Sequence, residues 1–370
     1  MLTIESAFFK LVRAGLWEQD ITLQNDIQLD FEEIFMLAES QSVIGLVAAG
    51  LDHVTNYKAP QANILQFVGQ TMLIEQRNKE MNAFIAQLID GLRRKDVYVL
   101  LVKGQGVAQC YERPLWRACG DIDLLLSKEN YEKARRILLP LASNVEKEDI
   151  PSKHQGMTIS NWVVELHGLL YSSLSSKILK GLEGITNDTF YGGNVRSWSN
   201  GDVQVFLLAT ENDIIYTFYH FLGHFYKGGI GLRQICDWCR LLWKYRDSLN
   251  HGLIESRIKK MGLKSEWKAF GAFAVEYLGM PLEAMPMYSP DKKWKRKADK
   301  ICLFIMEVGN FGHNRDNSYY DKYPFLVRKF YSFGRRCGDL LRHARIFPLD
   351  SIRFFPGIVF NGLRSAANGE

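Results

Sequence analysis

Two nearby stretches, Leu101-Val102-Lys103-Gly104-Gln105-Gly106 and Gly120-Asp121-Ile122-Asp123-Leu124-Leu125-Leu126, decide how the chain folds. Val97 to Val102 is a short apolar, β-branched run bounded by Lys95-Asp96 and Lys103-Gly104. That pattern predicts a buried strand ending in a glycine turn. Residues 107–112 fit a short helix, and Ile122 to Leu126 a second strand. On a strand, residues two apart share a face, with Cα atoms about 6–7 Å apart. Asp121 and Asp123 therefore share one face, while Ile122 and Leu124 point into the core. Two carboxylates so placed repel each other unless a cation lies between them, and their hard oxygens suit Mg²⁺. Gly120, just before the pair, allows a substrate or the chain itself to approach closely.

A pair of Mg²⁺ ions asks for a third carboxylate. Glu165 fits, in Val163-Val164-Glu165-Leu166-His167, another alternating strand that puts Glu165 and His167 on one face and Val164 and Leu166 on the other. In Lys103-Gly104-Gln105-Gly106, the glycines let backbone N–H groups close on phosphate oxygens at a helix start, and Lys103 adds a point charge. Alone, an Asp-x-Asp is most often a solvated turn, and a glycine turn after a strand is equally unspecific. Strand, glycine turn, short helix, Asp-Ile-Asp strand and strand-borne Glu in that order are far more specific.

In this order the residues resemble the nucleotidyltransferases of the polymerase-β type. More closely, the sequence resembles an uncharacterised bacterial nucleotidyltransferase family whose members carry a Lys-Gly turn, then Gly-Asp-Ile-Asp-Leu-Leu, then Glu-Leu-His. Here these are Val102-Lys103-Gly104, Ala108, Tyr111, Pro114, Arg117, Gly120 to Leu126, and Val164-Glu165-Leu166-His167. The likeness runs over roughly residues 10 to 300, with its specific motifs inside 102–167. It implies an α+β fold in which a small mixed-sheet, polymerase-β-like core is flanked by N-terminal and C-terminal helical regions. It implies two Mg²⁺ held by Asp121, Asp123 and Glu165, and ATP or another NTP as donor. It further implies transfer of a nucleoside monophosphate, AMP foremost, to an acceptor, with pyrophosphate leaving. Lys103, Gly104, Gln105, Gly106, Arg117 and Gly120 would bind the nucleotide. One position departs from the superfamily pattern. Many members carry Ser or Thr just after the glycine, where this chain has Gln105 and Gly106. The phosphate grip then falls to backbone amides, Lys103 or Arg117.

Outward from these motifs, four regions are expected. Residues 1–95 read as helical, with one amphipathic helix over Phe31 to Ala49 and a long one opened by Pro60. Residues 96–206 form the α/β core, with further strands at Met157 to Ser160 and Trp162 to Leu166. A hairpin around Ser199-Asn200-Gly201-Asp202 closes it. Residues 207–321 are helical, with candidates at 207–225, 234–245, 253–261, 266–278 and 293–308, then a loop over 309–321. Residues 322–370 are a basic, aromatic tail.

Composition narrows the class. With 47% apolar and 24% charged residues in 370, the chain is an ordinary globular protein, not a disordered or collagen-like one. Net charge of +5 is weak for a dedicated DNA-binding domain. The basic excess is local: Lys322 to Ser365 holds nine Lys/Arg against Asp339 and Asp350, and the rest is slightly acidic. Six scattered cysteines make no disulfide framework. No signal-peptide pattern and no long apolar run is visible, so the expected address is a reducing cytoplasm.

Other residues carry two readings each. Arg117 either contacts phosphate or neutralises the acidic pair. His167 orients Glu165, contacts substrate, or sits at the core edge. His220 and His224 lie four apart on one helix face, half of a zinc site without an evident third ligand, amid core aromatics; lining the acceptor cleft is the other reading. Arg233 and Asp237, also four apart, read as a helix-surface ion pair or as substrate-cleft residues. Cys236-Asp237-Trp238-Cys239 is a lone Cys-x-x-Cys inside a helix, which argues for packing. The tail reads as a helical cap, a nucleic-acid or acidic-partner surface, or an interfacial membrane helix. Three functions follow: transfer to a hydroxyl on a small molecule or peptide; transfer to a protein or tRNA, as in toxin-like relatives; or an inactive nucleotide- or partner-binding module. The acceptor and the oligomeric state are not legible.

Overall fold

The structure, a computed structural model, describes residues 3–23, 29–315 and 325–367. Residues 316–321 of the expected loop and Lys322 lie outside the described residues, as do the side chains of Lys329, Phe330, Phe333, Phe360 and Arg364.

Four helices come first: α1 (Thr3–Trp17), α2 (Phe31–Ser40), α3 (Ile44–Asp52) and α4 (Gln61–Arg93). The single helix expected over Phe31 to Ala49 is broken. Ser42 takes a positive φ of 57° between α2 and α3. The side chain of Gln41, fully buried, donates to the Ile305 carbonyl and accepts from the Leu232 N–H. The polar Ser-Gln-Ser turn thus ties the N-terminal helices to the C-terminal half. The α1 and α3 backbones touch through glycines. A Cβ on Gly15 would fall 1.9 Å from the Leu46 carbonyl oxygen, and one on Gly50 2.0 Å from that of Leu11.

The core follows: β1 (Leu100–Val102), α5 (Gly104–Ala108), β2 (Asp121–Leu125), α6 (Lys128–Leu138), β3 (Ala142–Val145), β4 (His154–Ile159), β5 (Trp162–His167), α7 (Ser176–Phe190), β6 (Val195–Asn200) and β7 (Val203–Leu208). The strands form one mixed sheet in the order β3-β4-β5-β2-β1-β7-β6. β1 runs antiparallel to β2 and parallel to β7, and β2 runs parallel to β5. The short helix starts earlier than its sequence pattern predicts, directly at the glycine turn. Strand alternation sorts the faces. Ile122, Leu124, Val164 and Leu166 pack under α4 and α6 against Met81, Ile85 and Tyr131. Each such fully buried aliphatic side chain contributes about 1.5–3 kcal/mol. That packing leaves the opposite face for Asp121, Asp123, Glu165 and His167.

Seven helices complete the described chain: α8 (Thr210–Lys227), α9 (Leu232–Lys244), α10 (His251–Met261), α11 (Lys264–Leu278), α12 (Lys292–Val308), α13 (Phe325–Ile346) and α14 (Pro348–Ala367). Phe218, Phe221 and Phe225 of α8 pack with Trp238, Trp267 and Phe270 in the larger core. Cys236 and Cys239 are buried in the same core as free thiols. No helix among the described residues is long and apolar enough to cross a membrane.

The described part of the tail is helical and caps α8. His343 lies 4.6 Å ring to ring from Phe225, and Phe354 5.0 Å from Tyr226. Burial, with Arg315 nearby, pushes the His343 imidazole down to about 3. The unfolded chain binds a proton at this residue below its ordinary value of about 6.5, and the folded chain does not until far lower pH. The folded-state value is depressed, so stability is lost as pH falls through that window, at about 1.4 kcal/mol per pH unit from this group. His343→Phe is expected to flatten the slope. Denaturant titrations at about pH 6 and about pH 4.5 check it, both inside the window; equal slopes for wild type and variant would contradict it.

Candidate active site

Strand register assembles the acidic site. In the β2–β5 pair, Asp123 lies directly opposite Glu165, Asp121 opposite Val163, and Leu125 opposite His167. Asp121, Asp123 and Glu165 each offer a carboxylate oxygen, all within 4.8 Å of one another. On the other flank β1 ends with Val102 paired to Asp123. Lys103 then takes φ 59° and ψ −148°, and Gly104 a positive φ of 45°. Lys103 thus occupies a backbone region that costs a side-chain-bearing residue about 1–3 kcal/mol. The turn brings its Nζ to 2.7 Å from Asp123 Oδ1 and 3.0 Å from His220 Nε2. The strained turn thus lies directly beside the carboxylates of Asp121, Asp123 and Glu165.

The charges are strongly coupled. Burial favours a neutral Lys103, but Asp123, backed by Tyr216, Asp121 and Glu165, more than reverses this and keeps the ammonium charged. Burial and then the Asp123 charge push the Asp121 carboxyl up. Glu165 goes the other way. Its burial is outweighed by hydrogen bonds from His154 and His167, which hold it well below the usual carboxylate range. His167 Nε2 lies 2.8 Å from Asp123 Oδ1 and 3.5 Å from Glu165 Oε2. Its burial is likewise outweighed by these carboxylates, so its pKa is raised. His220 is pushed well down by burial and by Lys103, and burial and Lys103 take His224 to about 4. Their Nε2 atoms are 3.3 Å apart. His220 therefore accepts from Lys103 as a neutral imidazole and secures the lysine. Three convergent carboxylates, with an ammonium already drawn onto one of them, are a donor set that fits hard divalent cations.

The cleft above this face is walled by Thr217, His220 and Phe221 of α8 and by Arg233 and Gln234 of α9. Arg117 and Asp237 line the same cleft and pair with each other. The pair is bidentate, Arg117 Nε to Asp237 Oδ1 at 2.9 Å and Nη2 to Oδ2 at 2.6 Å, and Tyr111 donates to the same Oδ1 at 2.8 Å. Arg117 neutralises Asp237 rather than the acidic pair. This also corrects the expected Arg233–Asp237 surface pair: Asp237 is buried, and Arg233 donates to the Ala118 carbonyl instead. Burial, with Arg117 beside it, pulls the Arg233 pKa down. Arg233 Nε and Gln234 Nε2 are buried at the cleft without a hydrogen-bond partner.

The glycine turn divides by role. The Gln105 side chain turns away from the cleft and donates to Asn78 Oδ1 at 2.7 Å. Asn78 in turn donates to the Leu115 and Arg117 carbonyls, fixing the loop ahead of β2 from α4. Gly106 is a packing glycine, since a Cβ there would lie 2.7 Å from Leu207 Cδ2. A Cβ on Gly120 would meet nothing within 4 Å, so the side of β2 before Asp121 is open. His154 and Gln234 were not legible in the sequence, whereas a cleft role for Arg233 was already one of the two readings offered there. His154 joins the site only because β4 pairs with β5, and no local pattern announces that pairing.

A family described as uncharacterised nucleotidyltransferases matches residues 28–279. No curated protein and no solved structure matches. The match spans most of the chain and contains the glycine turn, the Asp-Ile-Asp strand and the Glu165 strand, so the chain belongs to this uncharacterised nucleotidyltransferase family.

Proposed function

We propose that the protein is a Mg²⁺-dependent nucleotidyltransferase that moves a nucleoside monophosphate, AMP from ATP, to a hydroxyl on a small molecule or peptide. The observation that carries this reading is the convergence of Asp121, Asp123 and Glu165 on one sheet face, with Lys103 beside them. Asp121, Asp123 and Glu165 would hold two Mg²⁺. Bound there, Mg²⁺ would offset the charge of the triphosphate and lower the pKa of the acceptor hydroxyl.

The chain's own residues do the remaining work. Lys103, kept charged by Asp123, meets phosphate oxygens as a point charge, alongside the backbone amides of the Gly104 turn. Arg233 Nε and Gln234 Nε2, buried and unpartnered, offer donors to phosphate or acceptor. Glu165, its Oε2 turned to the two imidazoles and its carboxyl held well below the usual range, would act as a cation ligand rather than a base, and the hydroxyl proton would pass to water. The acceptor oxygen bonds to the α-phosphorus, the bond to the β-phosphate bridging oxygen breaks, and pyrophosphate leaves.

Incubation with ATP labelled at the α- or the γ-phosphate tests the reaction type. The α-label should appear on an acceptor with equal release of pyrophosphate, and the γ-label should leave in that pyrophosphate. Transfer of the γ-label to an acceptor would overturn the reading in favour of a kinase. The mass of the labelled species separates a small acceptor from a protein or a tRNA.

A further inference from the structure

His154 belongs to none of the motifs above, yet it stands at the site. The β4–β5 register sets His154 beside His167 and Gly156 beside Glu165. The two imidazole rings lie 4.8 Å apart, centroid to centroid. His154 Nε2 is 3.1 Å from Glu165 Oε2, and His167 Nε2 is 3.5 Å from the same oxygen. All three donor atoms fall within 4.8 Å of one another.

We propose that His154, Glu165 and His167 form a second cation pocket that takes a borderline transition-metal ion, Zn²⁺ or Co²⁺, in preference to Mg²⁺. It rests on the reading above only in sharing Glu165 with Asp121 and Asp123. Donor chemistry carries it. Mg²⁺ takes oxygen ligands almost exclusively, whereas imidazole nitrogen favours zinc and its neighbours. Geometry supports it. Ligands at about 2.0–2.1 Å from a tetrahedral ion stand about 3.4 Å from each other, close to the two contacts seen. Access supports it as well. The side chains of His154 and Glu165 are 31% and 28% exposed, whereas Asp123 is 2% exposed. This pocket therefore exchanges ions with solvent from the β4 side, while Lys103 guards Asp123 from the other. Glu165 then bridges two unlike positions: a nitrogen-rich one at the rim and an all-oxygen one beneath it.

The alternative is that the imidazoles only hydrogen-bond the carboxylates, His154 to Glu165 and His167 to Asp123 at 2.8 Å. The full-length, metal-free protein titrated with Co²⁺ in the absence of nucleotide separates the two. The expected result is one equivalent bound with visible d–d absorption, displaced by Zn²⁺ but not by a large excess of Mg²⁺. His154→Gln should weaken Co²⁺ binding at least tenfold. His154→Cys should restore it and add a thiolate charge-transfer band. Asp121→Asn should change Co²⁺ affinity by less than threefold. Far-UV circular dichroism confirms that each variant is folded. An unchanged Co²⁺ spectrum in folded His154→Gln, no spectrum in wild type, or displacement by equimolar Mg²⁺ would each overturn the proposal. Its failure is distinct from that of nucleotidyl transfer, which is read from Mg²⁺-dependent nucleotide binding and its loss in Asp121→Asn.

Discussion

Asp121→Asn and Asp123→Asn should each lower nucleotidyl transfer by at least about a thousandfold, about 4 kcal/mol of transition-state stabilisation. Their effects on stability should differ, and the difference is diagnostic. Asp121 is pushed up by burial and by Asp123, so its charge is held against a cost in the metal-free protein. Asp121→Asn removes that repulsion and should leave stability unchanged or slightly raised. Asp123 is the partner of Lys103 and of His167. Asp123→Asn keeps an acceptor but loses the charge, leaving a buried ammonium without its counter-ion. A loss of about 1–3 kcal/mol is expected. Initial rates with excess ATP and Mg²⁺, together with urea titrations of both variants, test this. Wild-type rates in either variant would remove the carboxylates from the mechanism, and equal stability of the two would contradict the assigned pairing.

The second large effect lies away from the acidic triad. Asp237→Ala should destabilise the fold by about 3–5 kcal/mol, the usual cost of stripping one partner from a buried ion pair. Arg117 would be left buried with its two charged hydrogen bonds gone, and Tyr111 would lose its acceptor. The pair joins the loop ahead of β2 to α9, so its loss should also loosen the α9 wall of the cleft. The double variant Arg117→Met/Asp237→Leu should recover much of the stability, because two apolar side chains replace a pair that gains little net. Denaturation midpoints of the three proteins decide this. A loss below about 1 kcal/mol in Asp237→Ala would place the interaction in the class of surface ion pairs.

Most of the sheet was legible because its strands are short, apolar and alternating. Ile122 and Leu124 had to face the core, so Asp121 and Asp123 had to face away, and the same parity fixed Glu165. The hairpin at Asn200-Gly201 was legible from turn chemistry alone. What escaped has physical reasons. β3 is an edge strand with an exposed Ser-Asn centre and carries no apolar alternation. Helix α7 spaces its buried Ile178, Leu182, Ile185 and Thr189 regularly, but glycines and polar residues dilute the signal. The break at Gln41 comes from tertiary bonds to residues nearly 200 and more positions away. The partner of Asp237 followed the same logic. Helical spacing pointed to Arg233, and the fold supplied Arg117 from across the cleft. His154 could not be found without the β4–β5 register, since register is a property of the sheet and not of either strand.

Calorimetric titration of ATP and the other three NTPs, with and without Mg²⁺, into wild type and Asp121→Asn/Asp123→Asn tests the acidic triad most directly. Binding of at least one NTP that needs Mg²⁺ and disappears in the double variant is the predicted result, with ATP the tightest. Binding that is indifferent to Mg²⁺, or that survives in the folded double variant, would contradict a cation-mediated nucleotide site on Asp121, Asp123 and Glu165.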